Sequence, residues 1–375
     1  MKNFYLMNKD IPVLQFTIKD VLGVSSINID KGFTKVVPLS FKGMVSFNKW
    51  IEDRLVLSHR RNIFSLLQSE GITKIEDIIS CTNCISLLDT FWVKEVNSNL
   101  SWKSVSPYKN PLNERISRFS YDGSIVNGKK ITGSPDFSTG GSFPKCWKKV
   151  DGSIYLYKSG SNIAYNSGRE PYSEYLTSKL AQKLFPNDCV KYDLVEYKNK
   201  VATRCKNICT ESIGMSSVAD ISPDIKNFND LLKYNYGGKR DLIRLVNMLL
   251  LDFLSLNVDR HLNNIGVLIH NETQRTMGIA PIYDFNLAFL PYYTDSSDGT
   301  IEDYINRKDN DTYLYANDGT SFEDIIKMLS DLGYGRYIHN TLNTLRGFKF
   351  SKSINRYEIA DRVLQRQIKI AYSLI

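Results

Sequence analysis

Histidine is scarce in this 375-residue chain: His59, His261, His270 and His339 are all there are. So few imidazoles, so widely separated, argue against a histidine-rich metal centre. Cysteine is nearly as rare, with six residues at 81, 84, 146, 189, 205 and 209. Cys81 and Cys84 have the CxxC spacing of a metal or redox site. No second such pair completes the ligand set of a structural zinc, so reduced, mostly structural thiols are expected. Long apolar runs are missing as well. The best candidate, Leu245 to Val258, is interrupted by Asn247 and Asp252, and falls short of the roughly 20 residues that a membrane span needs. Lys9 and Asp10 break any signal-peptide core near the start. Disulfide-rich and collagen-like classes are excluded, no membrane association is expected, and a cytoplasmic location is the default.

What is present is ordinary globular material. Hydrophobic residues make up 42% and charged residues 23%, enough apolar content to bury a core without covalent staples. The length predicts two or three domains at about 150 residues each. The net charge of +8 comes from 48 basic and 40 acidic residues scattered along the chain. Such a surplus is compatible with a phosphate-bearing ligand and equally with a plain solvated surface. Without a basic cluster, no direct nucleic-acid binding is expected.

Along the first 118 or so residues, short strands and helices alternate. Val13 to Ile18 reads as a strand, and Asn48 to Leu57, Arg60 to Gln68 and Thr73 to Ser80 as helices. Pro107 to Ser142 is rich in proline, glycine, serine and asparagine, and reads as a linker ending in a glycine-rich loop. Lys145 to Val150 and Ser153 to Lys158 then flank Asp151-Gly152, a pair that favours a two-residue hairpin because both positions tolerate positive φ. Ile154, Leu156 and Lys158 share one face of the second strand, so Lys158 ends an otherwise apolar row. A helix follows, with Ser167 and Glu170 at capping-box spacing, Pro171 in its first turn, an apolar stripe from Tyr172 to Leu184, and Glu174 one turn inside. Val190 to Tyr197 and Lys200 to Lys206 predict a second hairpin. Lys239 to Leu256 predicts a long helix whose apolar side carries Leu242, Leu245, Val246, Leu249, Leu250 and Phe253. The last 75 or so residues read as helical, with Ser321 opening one helix and Tyr357 to Leu374 closing the chain.

The chemistry-bearing stretch comes directly after the long helix: Asn257-Val-Asp259-Arg-His261-Leu-Asn-Asn264. An aspartate followed five positions later by an asparagine has the spacing of a kinase catalytic loop, with Asp as base and Asn as magnesium ligand. The strand Ile265 to Ile269 and a polar turn lead on to Ala280-Pro-Ile-Tyr-Asp284-Phe-Asn286. This second acid lies 20 residues past Asn264, where a hairpin would return it beside the loop as a metal ligand. On its own, such a pair of residues after a helix is more often a capped turn. The surrounding parts decide for function: a long apolar helix before, a hairpin after, a strand lysine and a helical glutamate upstream. His261 reads as a structural neighbour that orders Asp259 by hydrogen bonding. For Arg260, neutralising a phosphoryl group and anchoring the loop are equally supported.

Gly140 to Lys145 (GGSFPK), the YLYK strand, the SEYLTSKLAQKL helix, DRHLNNIGVL and APIYDFN together resemble the HipA-like serine/threonine kinases, in particular their compact, phosphatidylinositol-kinase-like bacterial members. The resemblance spans roughly residues 134 to 290. It implies an α+β, two-lobed protein-kinase-like fold with a small N-terminal α/β extension: 1–118 accessory, 119–208 N-lobe, 209–375 mainly helical C-lobe. It implies ATP and Mg²⁺ as cofactors and a protein Ser/Thr hydroxyl as acceptor. Asp259 resembles the catalytic aspartate, Lys158 the lysine on the ATP phosphates and Glu174 its helical partner. Asn264 and Asp284 resemble the magnesium ligands.

Gly140, Gly141, Ser142 and Lys145 belong to what resembles the mobile phosphate-covering loop, in which Ser138, or alternatively Ser142, corresponds to a serine that relatives phosphorylate to switch themselves off. Arg204, Cys205, Lys206 and Asn207 resemble the hinge that meets adenine. A toxin-like or regulatory role is implied, with a small DNA-binding antitoxin encoded nearby as a partner. Phe285-Asn286 replaces the usual Phe-Gly, Phe143 is apolar where many relatives are polar, and no helix-turn-helix antitoxin is fused to the chain. A small-molecule or lipid-headgroup kinase, and a non-catalytic nucleotide-binding interaction module, stand as the other readings.

Overall fold

A computed structural model of the chain describes residues 2–21, 24–41, 44–55, 67, 70–72, 74–124, 133–140, 143–161, 168–222, 224–225, 228–233, 237, 239–293, 300–303 and 320–375. Two units divide it. Met1–Lys158, Lys206–Ser216 and Leu268–Thr276 form the first, and Ser159–Cys205, Ser217–Val267 and Met277–Ile375 the second.

The first unit begins with an antiparallel meander, β1 (Lys2–Asn8), β2 (Ile11–Val21) and β3 (Val24–Gly32). Strand β4 (Phe91–Glu95) returns antiparallel to β1, giving the order β3-β2-β1-β4. Alternation along β2 puts Leu14, Phe16 and Ile18 on the buried face with Phe4 and Leu6 of β1. Helix α1 (Met44–Leu55) covers that face, its Phe47 ring 5.0 Å from Phe16 and edge-on to it. Full burial of Phe47 and Ile51 contributes about 1.5–3 kcal/mol each. Helix α2 (Ile75–Thr82) ends where Asn83 turns left-handed at φ 51°.

The strand expected at Val13 to Ile18 is thus the middle of an eleven-residue strand. Its neighbours β1 and β3 were not anticipated. The helices expected from Asn48 and Thr73 start at Met44 and Ile75, and the one expected at Arg60 to Gln68 falls almost wholly outside the described residues. The linker reading of Pro107 to Ser142 needs correction. Helix α3 (Glu114–Asp122) lies inside it, capped by the Asn113 side chain on Ile116 N–H and stopped at Gly123, φ 74°. Its Ile116 and Phe119 join the sheet core, an apolar pair at helical spacing that the surrounding prolines and glycines obscured.

Still in the first unit, β5 (Lys145–Val150) and β6 (Ser153–Ser159) form the expected hairpin, with Val150 opposite Ser153. Asp151 and Gly152 have φ of 48° and 76°, the mirror-image turn that matches strand twist.

In the second unit, α4 (Glu170–Leu184) opens with Pro171 in its first turn as expected. The anticipated cap Ser167 lies outside the described residues. Glu170 itself accepts from Gly168 N–H at 3.1 Å and from Ser161. The buried side of α4 is less apolar than its stripe suggested, since Ser173, Glu174, Thr177 and Ser178 are buried with Leu176 and Leu180. Strands β7 (Tyr192–Tyr197) and β8 (Lys200–Lys206) are paired through Lys198 and Asn199, both at positive φ. The long helix α5 (Lys239–Ser255) is buried on more than the predicted side, Met248, Leu251 and Leu254 included. Helix α6 (Phe322–Leu329) starts at a Ser321–Asp324 capping box, and α7 (Gly335–Asn343) and α8 (Tyr357–Leu374) complete the unit. Gln367 of α8 donates to the Phe253 carbonyl of α5 at 3.0 Å.

Candidate active site

The last turn of helix α5 holds a buried acid, and that acid organises the loop after it. Asp252 accepts from Asn257 Nδ2 at 2.7 Å and from the Arg260 guanidinium through both oxygens, at 2.8 and 3.1 Å. The other edge of the guanidinium donates to the carbonyls of Asn264 (2.7 Å), Tyr283 (2.8 Å) and Asp284 (3.5 Å). A single side chain thereby ties the end of α5, the 259–264 loop and the 283–284 segment together. Arg260 is 1% exposed, and Asp252 more than offsets the burial that disfavours its charge, so the guanidinium stays protonated. Of the two readings open for this residue, anchoring is the one its partners describe.

The loop it anchors carries Asp259 and Asn264. Asn264 closes it twice, by its N–H to the His261 carbonyl (2.8 Å) and by Nδ2 to the Asp259 carbonyl (2.9 Å). His261 Nε2 stands 4.0 Å from Asp259 Oδ1, beyond the reach of the hydrogen bond expected between them. Asp284 sits at φ 62°, a left-handed conformation that Asp tolerates better than most residues. Its N–H donates to the Tyr192 hydroxyl at 3.3 Å. Tyr192 is buried, and its phenol is pushed well above its usual range by burial first and then by Glu174, Cys205 and Asp284. Glu174, 1% exposed, accepts from Thr203 Oγ1 of β8. Asp259, Asn264, Asp284 and Glu174 therefore all belong to the second unit, and the first three share one hydrogen-bonded framework.

The remaining predicted residues are divided between the units, with Arg204 and Cys205 in the second and the rest in the first. Lys145 and Lys158 lie in the first unit, directly opposite each other across the β5–β6 hairpin and only 7% and 8% exposed. Opposed residues of an antiparallel pair share a face, where like charges are unfavourable. Lys145 donates to the Gly140 carbonyl at 2.5 Å, and Lys158 stands 5.8 Å from the Phe143 ring. Ser138 ends a short 3₁₀ turn, Pro135–Ser138, and donates to the Ile85 carbonyl at 2.9 Å. Gly141 and Ser142 lie outside the described residues. In the hinge stretch, Arg204 pairs with Asp193 at 3.2 Å and is opposite it in register, while Cys205 is opposite Tyr192. Lys206 ends β8, and the Asn207 N–H is already given to the Ile154 carbonyl at 2.8 Å.

The donor set suits a hard divalent cation. With Nδ2 of Asn264 committed to the Asp259 carbonyl, its amide oxygen is the end left to face a cation, and Asp284 supplies a carboxylate. Oxygen donors of these two kinds are what magnesium takes, along with waters and phosphates. Among the described residues no group of three or more His, Cys, Asp and Glu could hold a metal, and no helix is long and apolar enough to cross a membrane.

No protein-family model and no curated protein matches the chain. Among solved structures, HipA from the Shewanella oneidensis MR-1 toxin–antitoxin complex of HipA, HipB and operator DNA is similar over 99% of this chain and 97% of its own, at 13% identity and a TM-score of 0.51. The chain has a HipA-like fold. The Helicobacter pylori proinflammatory kinase CtkA is similar over 61% of this chain and 93% of its own, at 19% identity and a TM-score of 0.41.

The HipA-like fold agrees with the α+β expectation. Three structural residues escaped the sequence reading, Asp252 and Tyr192 in this framework and Asp136 in the first unit. In the sequence Asp252 reads as an interruption of an apolar run, although an acid in the last turn of a buried helix eight residues before an arginine is a readable signal. Asp136 is fully buried and accepts from Ser117 and Ser134 hydroxyls and from Trp147 N–H, fastening the segment before β5. Tyr192 gave no signal at all, being one tyrosine of 22 in an alternating strand.

Proposed function

We propose that the protein is an ATP-dependent kinase that transfers a phosphoryl group to a Ser or Thr hydroxyl of a protein. One observation carries the reading: Asp259, Asn264 and Asp284 converge on the Arg260 anchor with the residue types and order of a kinase catalytic loop and its metal aspartate. Asp259 orients the acceptor hydroxyl and takes its proton. Asn264 and Asp284 hold magnesium, which supplies charge neutralisation on the phosphates. Lys158, with Lys145 opposite it on the hairpin, takes ATP phosphates as charge-assisted donors. Glu174 is the acid assigned to Lys158. Gly140, Gly141 and Ser142 cover the phosphates, and the backbone of Arg204, Cys205 and Lys206 meets adenine. Asn207 stays in that set through its side chain, since its N–H is engaged.

The division 1–118, 119–208 and 209–375 belongs to the same reading, as does a cytoplasmic setting. A toxin-like or regulatory role with a small DNA-binding antitoxin is supported by the HipA comparison, a complex with HipB and operator DNA. Self-phosphorylation within the 138–145 loop is part of the proposal. It requires Ser138 to leave the Ile85 carbonyl, so modification and opening of the 3₁₀ turn go together.

The test is incubation with magnesium and γ-labelled ATP, alone, with protein acceptors and with lipid headgroups. Label on protein, with phosphate on Ser138 or secondarily Ser142 by mass spectrometry, is the expected result. Label only on lipid selects a headgroup kinase. ATP bound and no label anywhere selects the non-catalytic module.

A further inference from the structure

The metal aspartate of a phosphotransferase has to point in one direction, and at Asp284 the backbone that sets this direction is unfavourable by itself. The left-handed region is disfavoured for a non-glycine residue, although less for Asp than for most, so its surroundings have to hold it there. Two restraints come from Arg260, on the carbonyls of Tyr283 and Asp284. A third comes from Tyr192, which no part of the kinase resemblance assigns.

Backbone register brings Tyr192 there. Residue 282 bridges 189 in parallel fashion, with Ile282 N–H on the Asp188 carbonyl at 2.7 Å and Val190 N–H on the Ile282 carbonyl at 2.9 Å. Two residues further along each segment, Tyr192 reaches Asp284. Its hydroxyl accepts the Asp284 N–H at 3.3 Å, and its ring meets Phe285 edge-on at 6.3 Å. Its own N–H is held by Ser178 Oγ at 3.0 Å, and Ser178 lies one turn beyond Glu174 on α4.

We propose that Tyr192 is a positioning residue for Asp284: its hydroxyl, tethered to the helix that carries Glu174, fixes the left-handed backbone of Asp284 and hence the direction of its carboxylate toward the divalent cation. The inference rests on the reading of Asp284 as a metal ligand. Removal of the hydroxyl leaves the Asp284 N–H facing a ring edge and lets the segment relax.

The test compares wild type, Tyr192→Phe and Asp284→Asn for Mn²⁺ binding in the presence of ADP by electron paramagnetic resonance, with amide hydrogen exchange at residue 284 and the melting temperature read alongside. Tyr192→Phe is expected to weaken Mn²⁺ about tenfold, as loss of an outer-shell partner does, and to speed exchange at the Asp284 amide. Wild-type Mn²⁺ affinity in Tyr192→Phe, with Asp284→Asn weakened, overturns the positioning role and leaves the metal site standing. A lowered melting temperature with unchanged affinity does the same, since that is how a merely packed ring behaves. Equal Mn²⁺ binding by wild type and Asp284→Asn overturns the metal reading and this inference with it. Should Tyr192→Phe not fold, Ser178→Ala loosens the tether without touching the ring. A smaller loss in the same direction supports the proposal, and unchanged Mn²⁺ affinity in folded Ser178→Ala overturns it.

Discussion

Arg260 and Asp252 form a two-point ion pair inside the protein, Nε to Oδ2 at 2.8 Å and a terminal nitrogen to Oδ1 at 3.1 Å, with side chains 1% and 3% exposed. Removing one partner strands the other charge without water. Asp252→Ala or Arg260→Met should each lower unfolding free energy by about 3–5 kcal/mol. Arg260→Lys should rescue little, because an ammonium cannot span the carboxylate and three carbonyls at once. Urea titration of the purified variants checks this. A loss within the roughly 0.5 kcal/mol typical of surface substitutions would contradict the anchoring role.

The sequence made some of this framework legible and hid the rest, for identifiable reasons. Asp151-Gly152 was readable because few dipeptides accept two positive φ values, and the hairpin formed there. Asp259, Asn264 and Asp284 were readable because an aspartate, an asparagine five positions on and a second acid after a hairpin make a recognisable spacing, and the structure ties their segments together through Arg260. The function of Arg260 was not, since it depends on an acid eight residues earlier and on carbonyls from a segment more than 20 residues later. Carbonyls carry no residue identity. Helix α3 was masked by surrounding prolines and glycines, although its Asn113 cap and Gly123 stop were both present in the sequence. Strand β1 went unread because its burial does not alternate cleanly, and β3 because it carries Ser25, Ser26, Asn28 and Asp30. Only their pairing with β2 explains them.

Lys145 and Lys158 yield a prediction about nucleotide affinity. Each buried ammonium on the shared hairpin face should form a charge-assisted bond worth about 1.5–3 kcal/mol to a phosphate. Lys158→Met and Lys145→Met should therefore each raise the dissociation constant for ATP roughly tenfold or more, measured by isothermal titration. Unchanged affinity in both variants would remove the phosphates from this hairpin. A loss confined to Lys158→Met would assign them to Lys158 and leave Lys145 to its Gly140 contact.

Thiol reactivity should divide the cysteines by burial. Desolvation pushes the thiols of Cys84 and Cys209 up to about 12. A raised thiol pKa keeps the reactive thiolate scarce until the pH approaches that value. Cys81 and Cys205 are only partly buried. Alkylation of folded protein at pH 8, followed by peptide mass spectrometry, should label Cys81 and Cys205 first and leave Cys84 and Cys209 until the protein unfolds. Early labelling of Cys84 would contradict its place in the sheet core.

The most direct measurement is transfer of labelled γ-phosphate by wild-type protein against Asp259→Asn and Asp284→Asn, each checked for an unchanged circular dichroism spectrum. Wild type should incorporate label in the presence of magnesium. Asp259→Asn should lose about 10²–10⁴ of that rate, the range for removal of an acid–base group, and Asp284→Asn should lose transfer together with its divalent cation. Turnover close to wild type in either folded variant, or no transfer by wild type to any protein, peptide or lipid acceptor, would contradict the kinase assignment at its centre.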